Sequence, residues 1–517
     1  MKFNKYLIVA LGLGMSALTS CNLDETPASS IVIEDGDHAI SSNLELNAMR
    51  NGIYTSFRST FYGDMSQPSE LMCDGFNATA DFGNNYGPVH RMDASFTASD
   101  YDTEALWETF YSAIKDYNIF IHSAANFAEA QPDYKSDADH DMAEAYAFRA
   151  YSYMELVRHF AKAYDAKTAS SDLGVPLVLE YNQEEKPARA TVAQVYEQIK
   201  SDLDQAATLG LAEKPALRSE WFTVDALNML YARYYLDTRN NEKAAEYAKK
   251  VMDSEAGYAL SSTAAEMEAE YVNDKGTEAI MQLPASATEN GSGTNSAYTN
   301  FDYYADLAKA GYPGDGVYAE PYFFPSQKLI DQYEKGDVRF AQWFAPSTKY
   351  TIYMTGYFLG EYPLYTFTKY FGNPDLNTDG VPNARQHVKP FMIGEAYLIY
   401  AEASLNAGNV SAAKTALNEL QQKRGASLTE ATEATIEKEW FRETPGEGLR
   451  ISCLKRWGKG YEGRAAQPFA KENALIYTGK NYDEKSMPAD DIHWVWPIPS
   501  YEIRVNSNLQ KQQNPGY

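Results

Sequence analysis

A chain of 517 residues with 44% hydrophobic content can bury a large core and hold more than one folding unit. Its formal net charge of −26, from 45 basic and 71 acidic residues, repels phosphate backbones and anionic lipid, which argues against nucleic acid as a partner. Three cysteines without a Cys-x-x-Cys support neither a zinc ribbon, a redox pair nor a disulfide framework.

Lys2 and Lys5 precede an apolar stretch from Tyr6 to Leu18, closed by Leu18-Thr19-Ser20-Cys21. Residues 1–20 read as a secretory signal. The run is too short and too Gly-broken to span a membrane, which takes roughly 20 apolar residues. The Leu-x-Ser-Cys ending resembles a bacterial lipobox; the alternative is an ordinary signal with a chance cysteine. The resemblance implies that Cys21 is acylated and anchors the chain in a membrane from outside the cytoplasm. Residues 21–45, with Asp24, Glu25, Pro27, Ser29 and Ser30 and no period, read as a tether. Leu23-Asp24-Glu25 resembles the surface-export signal of Bacteroidota lipoproteins. With Cys21 acylated, Cys73 and Cys453 could pair, but two buried free thiols are the favoured reading.

Helices dominate the chain beyond the tether. Leu106, Phe110, Ile114, Tyr117 and Ile121 recur at helical spacing, as do Met142, Tyr146, Ala150, Met154 and Val157. Gly174–Leu177 reads as a loop or short strand. Thr191 and Gln194 fit a capping box that starts a helix burying Val192, Val195, Ile199 and Leu203. Ala232-x3-Leu236-x3-Asn240-x3-Ala244 aligns with Ala401-x3-Leu405-x3-Asn409-x3-Ala413. Each reads as helix, tight polar turn and helix, similar to a tetratricopeptide hairpin whose alanines let helices pack closely.

Residues 285–390 are rich in Tyr, Gly, Pro, Asn and Asp and lack a sustained period; 55–100 have a similar composition. Thr348–Tyr357 and Tyr365–Phe371 alternate enough for short strands. Such irregular chain reads as a functional excursion from a scaffold. Asp375-x-Asn377-x-Asp379-Gly380 matches half a calcium loop, but Gln386 stands at the twelfth position and Pro382 lies inside, so a polar turn is preferred and no metal is expected. No His-Glu-x-x-His, Gly-x-Ser-x-Gly, phosphate loop or dinucleotide glycine run is present. Neither a catalytic residue nor a cofactor is expected.

Several segments stand out together: Glu144-Ala-Tyr-Ala-Phe-Arg149-Ala-Tyr; Gly174–Val178 with Ala190–Val192, Tyr196 and Asp202-Leu203; and Gly394–Ala403. Glu439, Glu443, Glu447-Gly448, Arg450 and Arg456-Trp457-Gly458 make another block, and Trp496–Pro499, Glu502, Asn508-Leu509 and Gln513–Tyr517 a last one. In combination they resemble the SusD/RagB family of outer-membrane nutrient-binding lipoproteins. Trp440 and Cys453 depart from the family pattern, Pro445 and Gly446 interrupt a segment usually helical, and Lys511 and Gln512 lengthen the final turn. The resemblance implies a mainly α fold over 46–517, of stacked tetratricopeptide-like hairpins with a loop-rich layer at 285–390. It implies a protein lipid-anchored in the outer membrane and facing the exterior. That protein would bind oligosaccharides without cleaving them and deliver them to a TonB-dependent SusC-like transporter. Peptide cargo is the second reading, a lipid-anchored glycosidase the third. Glu395 and Glu402 are expected to form scaffold ion pairs with an arginine such as Arg450 or Arg456 rather than to catalyse. Sugars offer C–H faces to aromatic rings and hydroxyls to Asp, Asn and Arg. On that chemistry the candidate ligand residues are Asp74, Asn77, Tyr86 and Arg91 from the early segment, with Tyr303, Tyr304, Tyr312, Tyr322 and Trp343 from the excursion.

Overall fold

The computed structural model describes residues 40–61, 63–288, 297, 298, 300–303, 309, 311, 317–346, 351–359, 362–377 and 383–517. Cys21, Tyr304, Tyr312, the tether up to residue 39 and residues 378–382 of the Asp/Asn turn lie outside them.

The scaffold helices are α1 (Asn43–Ser59), α2 (Tyr101–Ala130), α3 (Lys135–Phe160), α4 (Val192–Leu209), α5 (Val224–Asp237), α6 (Asn241–Met252), α7 (Ile393–Asn406), α8 (Val410–Arg424), α9 (Glu433–Glu443) and α10 (Arg450–Trp457). Local chemistry sets their starts. The Ser42 hydroxyl accepts the Glu45 N–H, and Asp100 accepts the Thr103 N–H. At Thr191 both halves of the expected capping box are present, and Val192, Val195, Ile199 and Leu203 face inward. In α2, Leu106, Phe110, Ile114 and Tyr117 are buried.

Each helix packs on the next: α1 on α2, α2 on α3, and so on through α6, then α6 on α7 and α7 on both α8 and α9. The two similar hairpins, α5/α6 and α7/α8, are therefore stacked neighbours although some 140 residues separate them. Their turns match in detail. Asn240 and Asn409 each accept an N–H three residues on at 3.3 Å, after a left-handed residue, Arg239 or Gly408. Buried Ala244, Ala248, Ala413 and Ala416 allow the close approach.

Arginine–carboxylate pairs clamp the helices to one another. Arg50 meets Glu144 at 2.6 and 2.8 Å, Arg149 meets Asp202 at 2.7 and 2.9 Å, and Arg233 meets Glu395 with both contacts at 2.7 Å. Arg456 meets Glu402 at 2.8 and 2.9 Å. Each is two-pronged, and all but the part-buried Arg50 pair are buried, so they fix orientation as well as contact. The motif carboxylates are thus structural. Glu402 takes Arg456 as expected, whereas Glu395 takes Arg233; Arg450 is held elsewhere, by Asp74. Helix α9 ends at Glu443, ahead of Pro445 and Gly446. Cys73 and Cys453 are buried free thiols.

The excursion hangs on a two-stranded neck. Ala279–Leu283 leads out and Val388–Met392 leads back, with Met392 opposite Ala279, directly into α7. Beyond it lies a four-stranded sheet in the order Tyr357–Leu359, Thr351–Met354, Val317–Ala319, Phe301–Tyr303. Tyr365–Phe367 pairs with Phe344–Pro346. Phe76–Ala78 of the early segment pairs with Phe323–Pro325, which ties that segment to the excursion. The early segment is more helical than its composition suggests: Gly63–Leu71 forms a helix despite Pro68, and Gly87–Arg91 another. Phe76, Phe82, Tyr298, Phe323, Trp343 and Phe367 fill a second apolar core under this layer.

Glu70 lies in the joint between scaffold and layer, where its Oε2 accepts the Gly448 N–H at 3.2 Å. Burial pushes its carboxyl up to about 7, against the Gly446 and Gly448 N–H groups and the Arg450 charge, which pull it down. Between the ordinary value of 4.5 and about 7, the folded state keeps a proton that the unfolded chain has lost. Stability contributed by Glu70 is therefore full below pH 4.5 and falls as the pH rises to 7, by on the order of 3 kcal/mol. Glu70→Gln is expected to lose that decline while keeping an acceptor for Gly448. Denaturant midpoints at pH 5 and pH 7.5 measure it, and equal pH slopes in the two proteins would contradict it.

Candidate functional site

Three distant stretches meet on the far side of the layer. Thr79 N–H donates to the Tyr322 carbonyl at 2.9 Å, Ala80 N–H to Leu475 at 2.9 Å, and Tyr477 N–H to Ala78 at 3.0 Å. The Thr355 N–H donates to the exposed Asp81 carboxylate, which brings the Thr351–Met354 strand end alongside.

An aromatic platform stands at this junction. Tyr477, 43% exposed, stacks on Tyr482 with centroids 5.0 Å apart and ring planes 27° apart. Phe82 supports both edge-on, at 5.1 and 6.3 Å. Tyr482 also lies 6.2 Å from His90, whose Nδ1–H donates to the Leu71 carbonyl at 2.8 Å. Burial drives the His90 pKa well below its ordinary value, helped by the Arg464 charge, so the imidazole under the platform is neutral.

Polar groups run beside the rings. Arg91 donates from Nη1 to Asn84 Oδ1 at 2.7 Å and pairs through Nε with Asp93 at 3.3 Å. Asp93 Oδ2 in turn accepts from Asn481 Nδ2 at 3.2 Å, in the loop between the two tyrosines. Partial burial would raise the Asp93 pKa, but the Ser95 hydroxyl and N–H hold it below its usual value. The carboxylate stays charged and accepting. Gly87 makes this arrangement possible, since a Cβ there would sit 2.1 Å from Asn84 Oδ1 and 2.8 Å from Arg91 Nη1. Gly87→Ala is expected to push the two side chains apart. Weaker ligand binding at unchanged stability, by titration calorimetry beside thermal melting, checks it; unchanged binding would count against the site.

The sequence candidates divide. Arg91 is part of the network. Tyr86 is half-buried at the head of the Gly87–Arg91 helix in a left-handed conformation, and Tyr322 is half-buried beside Thr79. Asp74, Asn77 and Trp343 are inside instead. Asp74 holds Arg450 at 3.0 Å and Lys328 at 2.8 Å; these cations outweigh burial and keep its carboxyl well below the carboxylate range. Asn77 donates to the Ala465 carbonyl at 2.9 Å. Trp343 is fully buried, with Lys369 Nζ 4.3 Å over its ring. The backbone of Tyr303 pairs with Val317. Tyr477, Asn481 and Tyr482 were not signalled by any motif or period. Among the described residues, no cluster of His, Cys, Asp and Glu could hold a metal ion, and no helix is long and apolar enough to cross a membrane.

A sequence model of the SusD family matches residues 228–517. The chain belongs to the SusD family. A second model, described as starch-binding and associating with the outer membrane, matches residues 23–236 of this SusD-family chain. Solved structures share the fold. A SusD superfamily protein from Bacteroides thetaiotaomicron superposes with a TM-score of 0.71 at 22% identity, over 91% of this chain and 99% of its own. A laminarin-binding SusD-like protein gives 0.67 at 20% identity, over 92% and 100%. Surface glycan-binding protein A from Bacteroides fluxus gives 0.67 at 18%, over 92% and 100%. No curated protein matches the chain.

Proposed function

We propose that this SusD-family protein captures oligosaccharides at the cell surface and passes them, unaltered, to a TonB-dependent SusC-like transporter, anchored meanwhile through an acylated Cys21. The observation that carries the reading is the stacked Tyr477–Tyr482 pair flanked by Asn84, Arg91, Asp93 and Asn481. A pyranose lays its C–H face on such rings and offers paired hydroxyls to amide, carboxylate and guanidinium groups. The contacts are modest singly and add along a chain, which favours oligomers over single sugars. Relatives of the same fold described as laminarin-binding and glycan-binding support a carbohydrate ligand. Tyr86 and Tyr322, near the same junction, extend the candidate surface.

A glycan array probed with the full chain tests the proposal. Neutral oligosaccharides are the expected hits. Hits confined to peptides would replace this reading with the peptide-carrier one, and sugar released from a bound glycan would replace it with the glycosidase. Co-purification with a large β-barrel transporter tests delivery.

A further inference from the structure

Where the scaffold meets the layer, the chain surrounds a cavity of about 130 Å³. One side of its wall comes from the residues just after α1 and from α2, α3 and α5. The other comes from Tyr271, Lys369, Tyr370 and the strand that returns along the neck. None of the lining residues is fully exposed, and none belongs to the tyrosine face. Sites for drug-sized ligands run from roughly 300 to 1,000 Å³, whereas an apolar cavity of about 150 Å³ holds a benzene ring. The space therefore suits a single six-membered ring rather than a chain.

The charges in this wall are already matched. Arg233 is paired with Glu395 at 2.7 Å, Lys389 with Asp274 at 2.6 Å, Lys369 with Glu447 at 2.5 Å and Glu155 with Arg158 at 2.7 Å. Burial lowers the pKa of His387, so its imidazole is neutral. The groups that lack a partner are uncharged. Gln386 is 9% exposed, and its Oε1 accepts no hydrogen bond. Among the described residues, nothing bonds its Nε2 or the hydroxyls of Tyr151, Tyr271 and Tyr370. Burial holds these three phenols well above their ordinary pKa, so each keeps its proton and both donates and accepts. Buried polar groups left without partners are costly, and folded proteins rarely leave them so. Aromatic surface lies beside them. Phe61 stacks on Tyr151 with centroids 4.6 Å apart, and Phe110 lies 6.1 Å from the same ring.

We propose that this cavity is a second ligand site, which takes one neutral pyranose, a free monosaccharide, between the Gln386 amide and the hydroxyls of Tyr151, Tyr271 and Tyr370. The hydroxyls of a pyranose donate and accept as the amide and the phenols do, and its C–H faces pack on aromatic rings. It brings no charge into a wall whose ions are already paired, whereas an ion would enter without a free counter-charge. Water is the competing occupant, and it makes no use of the rings. A bound pyranose would tie α3 and α5 to the neck and so stabilise the folded chain. The site goes beyond the tyrosine face and does not need it.

Thermal melting and titration calorimetry of the full chain in detergent, with D-glucose, D-galactose, D-mannose and D-glucuronate, are the test. At least one neutral hexose is expected to raise the melting temperature, and glucuronate to raise it less. Gln386→Leu gives up no hydrogen bond within the protein, so it is expected to melt with or above the parent when no sugar is present. It is expected to bind that hexose about tenfold more weakly. Tyr271→Phe likewise gives up no bond within the protein and is expected to lose part of the affinity. No shift with any neutral hexose leaves the cavity to water and overturns the proposal. An equal or larger shift with glucuronate, or unchanged affinity in Gln386→Leu, also overturns it. Cellotetraose is the second arm: a Gln386-dependent shift with it and none with the hexoses overturns the single-ring assignment. A hexose shift lost in Tyr477→Ala with Tyr482→Ala but kept in Gln386→Leu places the sugar on the tyrosine face and overturns this site alone. Gln386→Leu reads the monosaccharide and the tyrosine variants read the array hit, so the two readings fail separately.

Discussion

Glu443→Ala is expected to lower stability by about 3–5 kcal/mol, the range for removing one partner of a buried ion pair. Glu443 sits between two fully buried arginines. Its Oε2 accepts from Arg339 Nη1 at 2.6 Å and Arg424 Nε at 3.2 Å, and its Oε1 from Arg424 Nη2. Arg339 also holds Asp337 and Glu439, and Arg424 holds Glu278 at 2.6 and 2.7 Å. One carboxylate therefore joins α8, α9 and the excursion, and Arg424 extends the link to Glu278, just ahead of the neck. Gly394 gives it room: a Cβ there would lie 2.5 Å from Glu443 Oε1. The alanine variant leaves three buried guanidinium N–H groups without their acceptor and opens a void in a dry interior, whereas Glu443→Gln keeps an acceptor and is expected to lose less. Denaturant melts of both variants measure this. A Glu443→Ala midpoint equal to that of the parent would remove the cluster from any account of stability.

Tyr477→Ala with Tyr482→Ala is expected to weaken binding of the strongest neutral glycan on the array by roughly five- to hundredfold. Each ring contributes about 0.5–1.5 kcal/mol through its face, and 1.4 kcal/mol is tenfold in Kd. Tyr477 is exposed, so the single variant Tyr477→Ala should melt with the parent while losing part of the affinity. Unchanged affinity in the double variant, with the fold intact, would move the ligand elsewhere on the surface.

The parts of this fold written in local sequence were legible. Thr191 and Gln194 cap a helix through atoms three residues apart, and Asn240 and Asn409 repeat one turn because the same short-range bond is needed twice. Pro445 stops α9 where its missing N–H predicts. The ligand face was only partly legible because it is assembled at long range. Residues 474–482 carry no period, and the bond that brings Asn481 to Asp93 spans 388 positions. Asp74 and Trp343 have the residue types of a sugar site. Asp74 can be buried because Arg450 and Lys328, far off in sequence, neutralise it, and Trp343 is buried because it fills the second apolar core. Glu395 chose Arg233 over Arg450 for the same reason: the α5/α6 hairpin delivers a guanidinium to α7, and Arg450 is already committed.

The Ala279–Leu283 and Val388–Met392 strands also bear on how such a protein can diverge. Because outgoing and returning chains run side by side, insertions or exchanges between them need not disturb the order of the helices. Loop swaps confined to that interval would still fall short of transferring ligand preference. Half of the tyrosine platform's neighbourhood comes from residues 79–93 and the rings themselves from 477–482, so a functional transplant must move all three stretches together.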